Sequence, residues 1–349
     1  MLSFIIVLFA YVLYVVNSKK ISNLHRKLTS SNWVEVTAAA DWSARYAHTS
    51  VVLNNTIYVM GGSTGSYLRD VWSTTDGSNW NLVTATAGWS ARYFATSVAY
   101  NNTIFIMGGR GAALQNDVWS SVDGATWIQV TAAANWATRI GHNSVVYDNK
   151  IFVLGGHTTA RVNDVWSSSD GSTWNLVTTT ADWSARAYHT SVVYNNKMYV
   201  MGGDDGSLYL NDVWSTTDGS NWNLVTATAG WSGRGNHATV VYDNKIVVTG
   251  GDGSTNFNDI WSSTDGATWN RINNMINYTV RRLHTSVVNN DELYVMGGTD
   301  GTDKFNDIWM INLIQSSGYD HNSNIMNAIS MTMIVHIGLG GFVLANYLK

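Results

Sequence analysis

The chain has 349 residues, 45% of them hydrophobic, with a formal charge of −4 and neither cysteine nor proline. The missing cysteine excludes disulfides, thiolate metal centres and cysteine nucleophiles, whichever redox compartment the chain occupies. A near-neutral chain without a basic tract excludes charge-driven nucleic-acid binding.

In chain order, Leu2–Val16 is uncharged and mostly apolar, about 22 Å long as a helix, the length of a signal-peptide core and short for a bilayer span. No Lys or Arg precedes it, whereas Lys19, Lys20, Arg26 and Lys27 follow. Positive charge stays in the cytoplasm, so the segment reads as a signal anchor with its N-terminus outside, with a cleaved signal ending near Asn17-Ser18 as the alternative. Residues 1–18 are assigned to this anchor or signal and 19–31 to a basic linker.

From Asn32 to Leu313 one unit repeats six times. The first glycine of a Gly-Gly pair falls at Gly61, Gly108, Gly155, Gly202, Gly250 and Gly297, in steps of 47, 47, 47, 48 and 47. Each unit holds four short β-branched and aromatic runs, a pattern that predicts one propeller blade per unit. Strands a and b meet at Asn54-Asn55, Asn101-Asn102, Asp148-Asn149, Asn195-Asn196, Asp243-Asn244 and Asn290-Asp291, residues that tolerate the positive φ of a two-residue hairpin. Strands c and d are joined through Asp-Gly at Asp76, Asp123, Asp170, Asp218 and Asp265, read as a second short hairpin.

The repeat region starts with a strand d (Asn32-Trp33-Val34-Glu35-Val36) and its last unit stops after strand c at Leu313. The expected fold is therefore all-β: a six-bladed β-propeller of four-stranded antiparallel blades over residues 32–313, the N-terminal strand closing the last blade, with apolar terminal helices. A polar linker (314–324) leads to Ile325–Leu348, which carries no charge and is long enough, at about 36 Å as a helix, to span a bilayer. All 17 tryptophans fall at three repeat positions typified by Trp72, Trp80 and Trp89, the pattern of inter-blade packing.

The Gly-Gly after an apolar strand (Ile57-Tyr58-Val59-Met60-Gly61-Gly62), the Asp-Val-Trp strand and the tryptophan opening strand d resemble the kelch repeat family of β-propellers. That resemblance implies a binding module whose partners meet loops on one face. The turn Ser73-Thr74-Thr75-Asp76-Gly77-Ser78-Asn79-Trp80 is similar to the Asp-box of sialidases, except that Asp and Gly are adjacent rather than separated by one residue. Kelch-like copper oxidases need a cysteine that this chain lacks.

Two sets of residues are candidates for function. In a meander the b–c and d–a connections share one face, and the residues of the b–c loops that break the repeat are Arg69, Arg110, His157, Arg161, Asp204, Asp205, Asp252, Asp300, Asp303 and Lys304. They define a candidate binding face for a protein or glycan. The repeated Arg45, Arg92, Arg139, Arg186, Arg234 and Arg281 offer an anion site at the channel mouth, against the alternative that each pairs with the repeated aspartate of its own or a neighbouring blade (Asp70, Asp117, Asp164, Asp212, Asp259, Asp307).

The histidines three residues after five of those arginines are expected to cap loops rather than ligate metal. Glutamate occurs only at Glu35 and Glu292, so no catalytic residue is assigned and no metal or cofactor is expected. A sialidase-like or sugar-epimerase-like enzyme with its site at the arginine-lined mouth stands as the alternative. The chain is expected at a membrane through one or both ends, with the propeller cytosolic on the charge bias. Asn-x-Thr acceptors at Asn54, Asn101 and Asn277 leave the lumenal and secreted cases open.

Overall fold

The computed structural model describes residues 33–272 and 278–311. The expected terminal helices, the linkers and Asn277 lie outside the described residues. Among those residues no helix is long and apolar enough to cross a membrane.

Six four-stranded antiparallel sheets follow one another round a ring. In the first blade strand a is Thr49–Leu53, b Thr56–Met60, c Val71–Thr74 and d Asn81–Thr84. Strands a of successive blades face each other about the axis, and the Thr49 and Ser97 hydroxyls meet there at 2.6 Å. The a–b turns form as the sequence requires, with Asn54 at φ 51° and Asn55 at φ 57°, the mirror-image turn that matches strand twist.

The c–d connection differs from the short hairpin expected. Strand c ends at Thr74 and strand d starts at Asn81, so Asp76-Gly77 lies within a longer turn. There the Asp76 carboxylate accepts the backbone N–H of Ser78 and Asn79 at 2.8 and 3.0 Å, and Trp80 Nε1 donates to Gly77 O. The aspartate is a local cap, an alternative to ladder pairing that short acidic side chains favour. Burial, the largest single influence, raises its carboxyl pKa, but the hydrogen bonds together outweigh it and hold the group below its ordinary value. Gly77 has φ +76°, and a Cβ there would stand 2.7 Å from the Tyr294 ring of the adjoining blade, so the turn has room only for glycine.

The N-terminal strand Val34–Thr37 closes the ring by pairing antiparallel with Lys304–Ile311, Val34 opposite Met310. This leaves no blade with a missing outer strand. Trp33 then meets Tyr278 edge to face at 4.6 Å. The same contact recurs between blades as Trp89 on Trp127 and Trp183 on Trp222, each at 5.9 Å. The core is thus a series of inter-blade clusters; one gathers Val51, Met60, Val71, Trp89, Ile104, Ile106 and Trp127 from consecutive blades.

Candidate functional site

The six repeated arginines are almost fully buried. Arg45 donates to both carboxylate oxygens of Asp70 at 2.7 and 2.8 Å and to Gly61 O at 2.9 Å, while Trp72 Nε1 donates to the same aspartate. The other five arginines repeat the bidentate pairing, with Asp117, Asp164, Asp212, Asp259 and Asp307. In each blade the pairing ties the start of strand a to the start of strand c. With every guanidinium committed to a carboxylate and a carbonyl, the arginines do not present donors to an anion at the channel mouth.

Four of the five histidines, His48, His142, His237 and His284, also serve the scaffold, by bridging to a threonine of the preceding blade rather than capping loops. His48 Nε2 lies 2.9 Å from Thr285 Oγ1, and His237 Nε2 lies 2.8 Å from Thr190 Oγ1. Burial and the adjacent arginine depress His48, His142, His189 and His284 to about 3, and His237 moves the same way. They are neutral in the fold. They line an axial cavity of about 280 Å³ with threonines, serines, Asn143, Asn236, Phe94, Tyr188 and Leu283, and no Asp, Glu, Lys or Arg is among the described residues that line it. Among the described residues no cluster of His, Asp and Glu is arranged to hold a metal ion.

The loop face is built on a backbone frame. The residue after each Gly-Gly pairs with the residue after each repeated arginine: Ser63 with Tyr46, Arg110 with Tyr93, His157 with Ile140, Asp204 with Ala187, Asp252 with Gly235 and Thr299 with Arg282. The next residue inward turns to φ between 50 and 60° at Ala47, Phe94, Gly141, Tyr188, Asn236 and Leu283. Most of these donate their N–H to the equivalent carbonyl of the preceding blade, as in Phe94 to Ala47 at 2.9 Å and Tyr188 to Gly141 at 2.7 Å. A positive φ is unusual for Phe, Tyr and Leu. Its recurrence in every blade makes it a property of this collar, while the side chains the collar carries all differ.

Those side chains form an aromatic run across the mouth. Tyr67 stacks on Tyr93 with centroids 5.0 Å apart and planes 12° apart, Tyr93 meets Phe94 at 4.8 Å, and Phe94 meets Tyr188 at 5.2 Å. The last contact passes over Gly141, where a Cβ would come within 2.8 Å of the Tyr188 ring. Burial and the neighbouring Asp204 raise the Tyr188 pKa; burial and Tyr67 raise that of Tyr93. Both phenols therefore remain protonated donors at neutral pH.

Of the residues expected on this face, Arg161 pairs with Asp204. Asp252 is buried and accepts from Arg282 at 2.9 Å, Asn236 at 2.8 Å and Tyr209 at 3.2 Å. Asp205 and Asp300 accept backbone N–H groups of their own loops. The Lys304 ammonium crosses to Thr64 O of the first blade at 2.8 Å. His157 is half-buried in the collar, and Arg69, Arg110 and Asp303 are exposed. Arg110 has no ion pair among the described residues, and it borders the aromatic run through its backbone pairing with Tyr93.

Sequence reasoning missed Tyr67, Tyr93, Phe94, Tyr188, Tyr209 and Arg282. Four of these lie at, or directly before, the collar position, in the two places between the repeated arginine and the histidine position. The variation at those two places was the signal available.

A family model described as the KLHDC2/KLHL20/DRC7 Kelch-repeats domain matches residues 14–182 and, overlapping, 113–298, and a Kelch motif model matches 281–317. No curated protein matches the chain. Among solved structures, the one described as the structure of YjhT is similar at 17% identity with a TM-score of 0.66, over 79% of this chain and 96% of that one, a likeness that shows the fold alone. The arginine–aspartate frame, the tryptophan packing and the matching family models together mean that the chain belongs to the kelch-repeat family of β-propellers.

Proposed function

We propose that the protein is a non-enzymatic interaction module, tethered to a membrane by one or both terminal segments, that binds a protein or glycan through its b–c and d–a loops. One observation carries this reading. On the loop side the repeat ceases to repeat, and there the chain presents a stacked aromatic run beside an exposed arginine that has no ion pair among the described residues. Aromatic and arginine side chains are the types that dominate binding hot spots. The enzyme alternative at the arginine-lined mouth finds no support, because the six arginines it needs are buried in pairs.

The test compares two variants of the full chain by proximity labelling in cells and on a glycan array. Tyr67→Ser with Arg110→Glu alters the loop face, and Asn149→Asp with Lys150→Glu alters the opposite face. The labelled or bound set should be lost with the first and kept with the second. An unchanged set with the first variant sinks the loop-face assignment. Protease protection of the propeller in sealed membranes tests the tether and its side.

A further inference from the structure

Two b–c loops differ from the others in what they expose. On the loop face the large apolar side chains left most accessible are Tyr67 (41%), Leu208 (67%) and Tyr209 (42%). The other exposed large apolar residues lie on outer strands d or next to c–d turns, as Leu82, Leu176 and Val122 do. Tyr67 belongs to the loop of the first blade, and Leu208 and Tyr209 to that of the fourth. In a ring of six these two blades are diametrically opposite.

The two loops carry opposite charge. The first presents exposed Arg69, and Lys304 adds a second cation by reaching over to Thr64 O. The fourth presents Asp205, whose carboxylate accepts the N–H groups of Ser207 and Leu208 at 2.8 Å each and has no ion pair among the described residues. Its neighbour Asp204 is neutralised by Arg161. One loop is thus apolar and cationic, the other apolar and anionic.

We propose that these loops dock a second copy of this chain face to face, about a two-fold axis lying in the loop face and perpendicular to the line joining the first and fourth blades. That single rotation sets loop one of each copy on loop four of the other, so the contact occurs twice and closes, as an isologous interface must. Leu208 and Tyr209 then cover Tyr67 and remove apolar surface from water. Asp205 meets Arg69 and Lys304, which fixes the register and makes association sensitive to salt. The proposal rests on the reading that the loop face is the partner surface, and it names that partner.

The test is a charge exchange in the full chain, purified in a mild non-ionic detergent and weighed by light scattering with the detergent subtracted. Wild type is expected at twice the 38.3 kDa chain mass, falling toward one chain mass in high salt. Variant one carries Arg69→Glu and Lys304→Glu. Variant two carries Asp205→Asn, which keeps the oxygen that caps the loop, and Leu208→Lys. Each alone should run as a monomer, because its reversed loop meets like charge. Mixed, they should co-purify as a heterodimer, since both contacts are complementary again. A monomeric wild type, or a dimer that both variants leave intact, overturns the proposal. The loop-face reading would then still stand or fall on its own labelling experiment, which does not depend on self-association.

Discussion

Acid should open this propeller well above the pH at which its carboxylates titrate. His48, His142, His189, His237 and His284 are held neutral in the fold, four of them at about 3. In the unfolded chain a histidine titrates at about 6.5, so below that pH the unfolded state binds protons that the native state refuses. Stability therefore rises with pH through this window and is lost as pH falls. For each histidine the loss between pH 7 and pH 6 is about 0.7 kcal/mol, and roughly 3 kcal/mol for all five. By pH 5 the total reaches ~9 kcal/mol, comparable with the whole stability of a typical domain, about 5–15 kcal/mol.

The shifted carboxylates do not blur this result. Their pKa values are lowered, so the stability they contribute is present above about 4 and is lost only below it. Urea unfolding followed by tryptophan fluorescence at half-unit steps from pH 7 to 5 reads the slope directly. Replacing His237 by Gln should reduce that slope by about one fifth. An unfolding free energy that stays flat from pH 7 to 5.5, or native resonances of these five histidines that titrate above pH 5, would refute the reasoning.

Two further perturbations address the frame and its closure. Asp212→Ala leaves the Arg186 guanidinium buried without its carboxylate and should destabilise by about 3–5 kcal/mol, whereas Arg186→Met with Asp212→Leu should cost much less; equal losses for the two would show that the pair's charge is not what matters. Trp33→Ala removes the ring that closes on Tyr278 and should cost about 3–5 kcal/mol in chemical denaturation, and an unchanged midpoint would count against closure by the N-terminal strand.

What the sequence made legible was whatever the architecture demands of every blade. Gly-Gly, the a–b turn pairs, the tryptophans and the Arg/Asp positions recur because each blade solves one steric problem in one way. The blade count and the closing strand follow from them. The Asp-Gly turns misled for a physical reason. Adjacent Asp and Gly are common in two-residue hairpins, but the same carboxylate can instead cap two backbone N–H groups in a longer turn, and only the position of Trp80, whose Nε1 reaches back to Gly77 O, distinguishes the two.

The site was legible in part, and its gaps show how to read such faces. Irregular residues in the b–c loops, the connections whose length varies, mark Arg110 and Asp204 but not Phe94 and Tyr188, which are enclosed between positions that repeat. Fixed flanks do not imply a fixed role: the collar holds its backbone constant precisely where its side chains are free to vary. Nor does breaking the repeat make a residue available. Arg282 is unique among the blades and Asp252 shares its residue type only with Asp204, yet Asp252 and Arg282 bond to each other and cancel. A departure from symmetry is informative for binding only after it is matched against the other departures beside it, and Arg110, with an aromatic run at its side and no ion pair among the described residues, is one that the matching leaves over.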